Sequence, residues 1–395
     1  MEVKLLELWY ALLMNIGQKL FIIGAGAHVP YGMPTSYELK RNIKFLLNLD
    51  GSDVYSDFSI DRSEVDKQFD CIRNLIEIIF RDEIEKNLEN ESFFKKYLNE
   101  SQKKLRMNIL KNGIHHMKNS LSDELCASAI KTVNEDLIEF LYMFENSQVG
   151  SIDSFLSVDH SNEIRTYEII GKVLIYYLIT YYENYTCSVG GRRSRLVLNA
   201  RNDDWIEALI SKYLDTKDWE KFFEDPPGII TFNYDCIFEK KIASFLKIQK
   251  KLEESEILER LKQLNIIHVY GSINSTFASP IVDIKKERKQ SHIFKLANIK
   301  SEIDGISIIN RSEDFKIETV NFEKYKVGYF LGYGFDEVNN KILRSSFGNI
   351  TPAFYTTNYG LSPDDKSAFK SFYNQNVFGE EKTDSLKLLK NRKII

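Results

Sequence analysis

Five short apolar runs, each bounded by glycine, asparagine or proline, are the feature that most constrains how this chain can fold. They are rich in β-branched and aromatic residues, a composition typical of buried parallel strands. The runs are Lys19–Gly24, Gly228–Asn233, Asn265–Gly271, Val327–Gly334 and Pro352–Asn358. Two helical patterns, Cys236–Leu246 and Ser255–Leu264, separate the second run from the third. This alternation of strands and helices predicts a doubly wound α/β fold with a Rossmann-like parallel sheet.

A long helical stretch separates the first two predicted strands. Apolar residues recur there at helical spacing, as in Phe69, Ile72 and Ile76. We therefore predict a nucleotide-binding domain whose two parts, residues 1–59 and 221–395, are interrupted by a helical insertion at residues 60–220. Since about 160 residues exceed what a strand connection needs, we expect the insertion to cover the ligand pocket and to carry a surface for self-assembly or partner binding.

The composition disfavours several classes of protein. Lys and Arg total 53 against 57 for Asp and Glu, and the net charge of -4 gives no general reason to bind nucleic acid or an anionic membrane. The four cysteines never form the C-x-x-C pairs of a zinc module or a redox dithiol. The longest apolar run, Val173–Tyr182, is much shorter than the roughly 20 residues of a membrane span. We expect a cytoplasmic protein without a bound metal.

The first predicted strand runs directly into a glycine-rich loop that begins at Gly24. Glycines there allow backbone amides to approach a phosphate closely, and the following helix can point its N-terminus at the same group. Val29 stands where the dinucleotide fingerprint G-x-G-x-x-G needs its third glycine, so an ordinary dehydrogenase is disfavoured. A glycine turn without a ligand is the alternative interpretation.

The second predicted strand ends in the segment 231–235, which places Asn233 and Asp235 at the sheet edge where ligands of such sheets bind. Phe232 and Tyr234 face the opposite way by strand alternation. An asparagine is suited to holding a ribose hydroxyl or an attacking water without adding charge. The alternative is that Asn233 and Asp235 only cap the following helix.

Taken in order, these motifs resemble the sirtuin superfamily: a Gly-Ala-Gly loop with a downstream Gly-x-Pro, a T-x-N-x-D strand end, a strand end in Gly-Ser and a late glycine-rich strand end. The resemblance is closest to the sirtuin-like effectors of bacterial anti-phage defence, which hydrolyse NAD. It implies NAD as substrate and Asn233 as the residue that positions ribose and water. The implied NAD contacts are Gly24, Ala25, Gly26, Ala27, Gly32, Pro34, Thr35, Asp235, Gly271, Ser272, Gly332 and Gly334.

Departures from the family pattern narrow the expected activity. Protein-deacetylating sirtuins continue the first motif with Asp-Phe-Arg and carry a four-cysteine zinc module, whereas this chain has Thr35-Ser36-Tyr37 and no cysteine pair. Deacetylation is therefore disfavoured. The serine that follows the family's glycine loop is His28 here, and the family's catalytic histidine is Tyr270. His268 lies two residues earlier, and strand alternation predicts that it shares a face with Tyr270. Both are candidates for a general base or a ribose hydroxyl partner.

The resemblance thus implies an NAD glycohydrolase that depletes NAD during abortive infection, acting as a homo-oligomer or with a partner such as a ring-forming ATPase. One alternative is a subunit that senses NAD or a related nucleotide without turnover. Another is a defence protein of the abortive-infection H family, which Pro34–Tyr37 and Phe232–Tyr234 also resemble. That family carries Gly-Asn-Gly in the first loop, whereas this chain has Gly24-Ala25-Gly26.

Overall fold

The structure is a computed structural model. It describes residues 16–47, 72–77, 79, 137–144, 146–147, 152–156, 164–187, 204–273, 299–307, 317, 321–347, 353–358, 361–373 and 383–395. The predicted strands and every candidate site residue fall within these ranges, apart from Pro352 at the start of the fifth strand. Residues 80–136, a large part of the predicted insertion, lie outside them.

Five parallel strands form one sheet in the order β3-β2-β1-β4-β5. The strands are β1 (Lys19–Ile23), β2 (Gly228–Thr231), β3 (Asn265–His268), β4 (Val327–Leu331) and β5 (Ala353–Thr356). The central strand β1 is buried along its whole length, as a strand covered by helices on both faces must be. The predicted Rossmann-like α/β sheet is confirmed, and each strand lies within the run that predicted it.

Ten α-helices have both of their ends within the described residues, which also include helical segments at 72–77, 137–144 and 299–304. The ten helices are α1 (Ser36–Leu47), α2 (Ile152–Leu156), α3 (Ile164–Cys187), α4 (Trp205–Tyr213), α5 (Lys221–Glu224), α6 (Ile237–Ile248), α7 (Glu254–Gln263), α8 (Glu337–Phe347), α9 (Pro363–Tyr373) and α10 (Ser385–Asn391). Short 3₁₀ helices span Ile16–Gln18, Ala25–Tyr31 and Phe322–Lys324. Helices α6 and α7 connect β2 to β3 and confirm the helical patterns predicted there.

Side-chain caps define where these connecting helices begin. Asp204 precedes α4, and its carboxylate accepts a hydrogen bond from the backbone N–H of Glu207 at 2.8 Å. A reciprocal capping box between Glu253 and Glu256 opens α7. Behind its first turn, α6 buries an apolar face that includes Phe238, Ile242 and Leu246 against the domain core.

The chain divides into two compact units. One contains Met1–Ser36 and Leu178–Ile395, and therefore the whole sheet; the other contains Tyr37–Tyr177. These bounds differ from the predicted limits at residues 60 and 220. The second unit has its own aromatic core, in which the ring of Phe155 lies 5.3 Å from that of Phe140 and 5.2 Å from that of Phe144. Among the described residues no helix is long and apolar enough to cross a membrane.

Candidate functional site

The sheet topology gathers the candidate residues at one edge. Because all five strands are parallel, their carboxyl ends lie on the same side, and β1 sits where the strand order reverses. Open α/β sheets bind their ligands in the crevice at such a point. Ile23, the last residue of β1, is in register with Thr231 on β2 and with Leu331 on β4. The loops that follow these three strands therefore begin side by side.

A histidine–carboxylate pair lies at the centre of this edge. The 3₁₀ helix after β1 carries His28, and its Nδ1 is 2.6 Å from Oδ1 of Asp235, which follows β2. His28 is 2% exposed and Asp235 is 4% exposed. Burial by itself would raise the pKa of Asp235, but the adjacent His28 and the N–H of Ile237 outweigh it and hold this pKa below its ordinary value of 3.8. Asp235 is therefore a carboxylate at neutral pH, and His28 Nδ1–H donates to it.

Asn233 completes a three-residue cluster with this pair. Its side-chain Nδ2 donates to the carbonyl oxygen of Gly24 at 3.3 Å and lies 3.1 Å from Nδ1 of His28. Oδ1 of Asp235 also accepts the backbone N–H of Ile237 at 3.2 Å, in the first turn of α6. Asp235 thus bonds the first residue of α6 as well as His28, while the N-cap of that helix is Cys236.

Aromatic neighbours hold the His28 ring in place. Trp205 stacks on it with a centroid separation of 6.4 Å and an interplanar angle of 16°, while Tyr31 meets it edge-on at 5.9 Å. Both neighbours are themselves anchored by hydrogen bonds. Nε1 of Trp205 donates to the carbonyl of Ala27 at 2.9 Å, and the Tyr31 hydroxyl donates to Asp204 at 2.7 Å. His28 is therefore held in one orientation before any ligand binds.

The two ring nitrogens of His28 differ in their hydrogen bonding. Nε2 is buried, and within the described ranges it has no hydrogen-bond partner. Buried polar atoms nearly always have a partner, so an exception of this kind calls for an explanation. Sequence reasoning treated His28 only as a substitution at the rim of a phosphate loop. The sequence signal for His28 was its position in a glycine loop, where the sirtuin superfamily has a serine.

The glycine loop after β1 packs against the loop after β4. The N–H of Gly24 donates to Leu331 at 2.9 Å, and the N–H of Gly26 donates to Gly332 at 3.0 Å. A Cβ on Gly332 would lie 1.9 Å from the backbone nitrogen of Ala27, and Gly332 has a left-handed φ of 55°. These glycines are thus needed for close contact between two loops. Phosphate binding at Gly24, Gly26 and Ala27 stays a prediction, as it does for Ala25.

The remaining predicted contacts occupy varied positions along the same edge. Gly32 ends the 3₁₀ helix with a left-handed φ of 81°, and Pro34 is buried while Thr35 is half-buried. Gly271 turns the chain after β3 with a φ of 76°, followed by half-buried Ser272. Gly334 is exposed, and a Cβ added there would meet nothing within 4 Å.

His268 lies in a second histidine–carboxylate pair, and both of its nitrogens have partners. Nε2 is 2.7 Å from Oε1 of Glu239, and Nδ1 is 3.3 Å from the carbonyl oxygen of Asn233. Burial by itself would lower the pKa of His268, but the hydrogen bond and charge of Glu239 outweigh it and raise this pKa above 6.5. The imidazolium form satisfies both contacts, so His268 is a donor on both sides.

Tyr270 faces a different set of partners. Strand β3 ends at His268, and residues 269–270 form a turn, so the strand alternation that placed both side chains on one face does not extend to Tyr270. The Tyr270 ring stacks on Tyr234 at 5.8 Å and meets Phe232 edge-on at 6.0 Å. Its hydroxyl donates to Asn339. Tyr270 therefore belongs to an aromatic layer beside the cluster.

One group of three side chains in the described part of the chain has atoms of the kinds that bind metals. These atoms, on Cys236, Glu239 and His268, all lie within 4.8 Å of one another. The ion pair between Glu239 and His268 accounts for their closest approach. The sequence offered no signal for this group, because its single cysteine has no partner at C-x-x-C spacing.

Comparison of the chain with protein-family models, with curated proteins and with solved structures found no match in any of the three.

Proposed function

We propose that this protein binds NAD and hydrolyses the bond between nicotinamide and ribose. The observation that carries the proposal is the buried cluster of His28, Asn233 and Asp235 at the carboxyl ends of β1 and β2, beside the reversal of strand order. Ligand sites of Rossmann-like sheets occur at this position. The fold itself does not require a carboxylate, an imidazole and an amide to converge at this position away from water, so the cluster indicates a functional site.

The cluster suits the chemistry of this reaction. The nicotinamide of NAD is cationic and leaves as a neutral ring, so the enzyme needs little acid catalysis. It must stabilise positive charge that develops on the ribose and supply one water molecule. The Asp235 carboxylate provides a fixed negative charge at the site, and the Asn233 amide offers a donor and an acceptor for the ribose or the water.

The sirtuin resemblance supports the same reaction and suggests its biological setting. In that setting NAD hydrolysis depletes the cofactor during phage infection, and the protein works as a homo-oligomer or with a partner such as a ring-forming ATPase. Constitutive hydrolysis would kill the host cell. An activating event is therefore part of the proposal.

Chromatography of NAD incubated with the purified protein tests the proposal, with nicotinamide and ADP-ribose as the expected products. Asn233→Ala is expected to abolish hydrolysis while costing the fold only about 1 kcal/mol, the usual value of a lost hydrogen bond. Asn321→Ala is the matched control, because Asn321 caps the 3₁₀ helix Phe322–Lys324 with a comparable bond. Hydrolysis by Asn233→Ala at the wild-type rate would contradict the mechanism.

One observation favours a second candidate, a nucleotide sensor without turnover. The residue at the position of the family's catalytic histidine, Tyr270, donates its hydroxyl to Asn339, and His268 has partners on both nitrogens. Calorimetric titration with NAD separates the candidates. Measurable binding, with the nucleotide recovered intact under all activating conditions, would favour the sensor.

A further inference from the structure

We propose that His28 is the general base of this site and takes the proton of the water that attacks the ribose. The inference rests on the proposed NAD hydrolysis and assigns its missing proton acceptor. It moves this role from the strand end at His268 and Tyr270 to the glycine loop after β1.

The contact with Asp235 determines which nitrogen of His28 is available. Nδ1 lies 2.6 Å from a carboxylate oxygen, a distance that requires a proton between the two atoms. The Asp235 carboxylate is fixed in turn by the N–H of Ile237 at the start of α6. In neutral His28 the proton is therefore on Nδ1, and Nε2 carries the lone pair. The contact of Nδ1 with Nδ2 of Asn233 at 3.1 Å then joins two donors and is not a hydrogen bond. A carboxylate behind a histidine both selects this tautomer and stabilises the imidazolium that forms when Nε2 accepts a proton.

The surroundings of Nε2 indicate a ligand. This atom is buried without a hydrogen-bond partner in the described part of the chain, an arrangement that costs free energy unless something binds there. Trp205 and Tyr31 prevent the ring from turning toward another partner. A bound water or a ribose hydroxyl would donate to Nε2 and remove the cost. Nε2, which has no partner among the described residues, is thus the atom that a general base must present to its substrate.

The other histidine of the site lacks such an atom. His268 uses Nε2 for Glu239 and Nδ1 for the carbonyl of Asn233. To accept a proton from water it would first have to release one of these partners. Of the two histidine–carboxylate pairs, only the one formed by His28 and Asp235 leaves a nitrogen for substrate.

The proposed step conserves atoms and charge. The bond between ribose C1′ and the nicotinamide nitrogen breaks, and its electron pair leaves with the nicotinamide, which becomes neutral. The oxygen of one water forms a bond to C1′ while one of its protons moves to Nε2 of His28. The products are nicotinamide and ADP-ribose. The imidazolium returns its proton to solvent when the products leave, so no other reactant is consumed.

Two substitutions test the proposal in the full-length protein. His28→Asn keeps an amide nitrogen near the position of Nδ1 for Asp235 but has no atom at the position of Nε2. We expect kcat to fall on the order of 100-fold with little change in KM, the usual scale for a positioned base. Asp235→Asn should lower kcat at least as much, because the amide no longer selects the tautomer.

The matched control for the carboxylate is Asp218→Asn. Asp218 is 70% exposed in an ion pair with Lys221 on the surface, so wild-type kcat is expected. Nuclear magnetic resonance of ¹⁵N-histidine-labelled wild-type protein gives a readout that does not depend on turnover. Neutral His28 is expected to carry its proton on Nδ1, and this measurement remains decisive if a substituted protein fails to fold.

The outcomes separate this inference from the function on which it rests. If wild type hydrolyses NAD and His28→Asn keeps the wild-type kcat, NAD hydrolysis stands and His28 is not the base. A proton on Nε2 in the neutral wild type overturns the assignment as well. If wild type never cleaves NAD under activating conditions, the proposed function itself fails, and the assigned role of His28 fails with it.

Discussion

At the scale of single residues, the site contains two histidine–carboxylate pairs that differ in the number of imidazole nitrogens with a partner. His28 bonds Asp235 through Nδ1 and leaves Nε2 without one among the described residues, whereas His268 contacts Glu239 and the backbone of Asn233. The first arrangement suits a group that gains and loses a proton during a reaction. The second suits an imidazolium that ties the end of β3 to α6 through Glu239.

The second pair predicts a pH dependence of stability. Because the pKa of His268 is raised above 6.5 in the folded protein, the pair contributes stability that is fully present below pH 6.5 and is lost as the pH rises through the raised pKa. Urea unfolding at about pH 6 and about pH 9 should reveal this loss as a lower free energy of unfolding at the higher pH. Glu239→Gln should remove most of it.

The matched control for Glu239→Gln is Glu259→Gln. The carboxylate of Glu259 is 72% exposed and pairs only with the surface residue Lys262 among the described ion pairs. This variant should therefore keep the wild-type dependence on pH. If the loss of stability between the two pH values is the same in Glu239→Gln as in wild type, another group is responsible for it.

At the scale of elements, backbone contact between the loops after β1 and β4 shapes the edge of the sheet. The register of the two strands brings Gly24 and Gly26 against Gly332, and the N–H of Gly26 donates to the carbonyl of Gly332. No side chain fits between these loops, as the distances to an added Cβ show. The glycines of two sequence-distant motifs thus form a single structural contact.

Because of this contact, we expect alanine substitutions at two nearby glycines to differ in their effect on the free energy of unfolding. Gly332→Ala places a Cβ 1.9 Å from the nitrogen of Ala27 in a left-handed conformation and should cost about 2 kcal/mol or more in the free energy of unfolding. Gly334→Ala meets nothing within 4 Å and should change it by less than about 0.5 kcal/mol. Urea unfolding measures both. Equal effects of the two substitutions would show that the loop contact is not required.

At the scale of the whole molecule, the sheet-containing unit is accompanied by a second compact unit, Tyr37–Tyr177. The second unit is longer than a connection between two neighbouring parallel strands needs to be. It also has an aromatic core of its own, which stabilises its fold. We therefore retain the prediction that the helical insertion, residues 60–220, carries a surface for self-assembly or partner binding.

Light scattering tests this prediction on the purified protein. A self-assembling chain should give a mass that is a multiple of 46.1 kDa, and assembly or addition of the partner should change the rate of NAD cleavage. A protein that remains strictly monomeric and is fully active without a partner would contradict the expected control by assembly.

The sequence alone was sufficient to predict the five strands, their parallel arrangement and the position of Asn233 and Asp235 at the carboxyl edge of the sheet. Strand and turn preferences are local properties, so apolar runs bounded by glycine and asparagine carry them. The same local rule failed at Tyr270, because the strand ends at His268, two residues before Tyr270, and the chain then turns.

Only the tertiary structure decided which candidate side chains meet. His28 and Asp235 are 207 residues apart, and their contact depends on the parallel register of β1 with β2 and on the 3₁₀ helix that turns His28 toward its partner. Tertiary packing likewise gave both nitrogens of His268 partners and left Nε2 of His28 without one in the described ranges. Such pairings arise from the simultaneous packing of distant segments, which no local pattern of residues encodes.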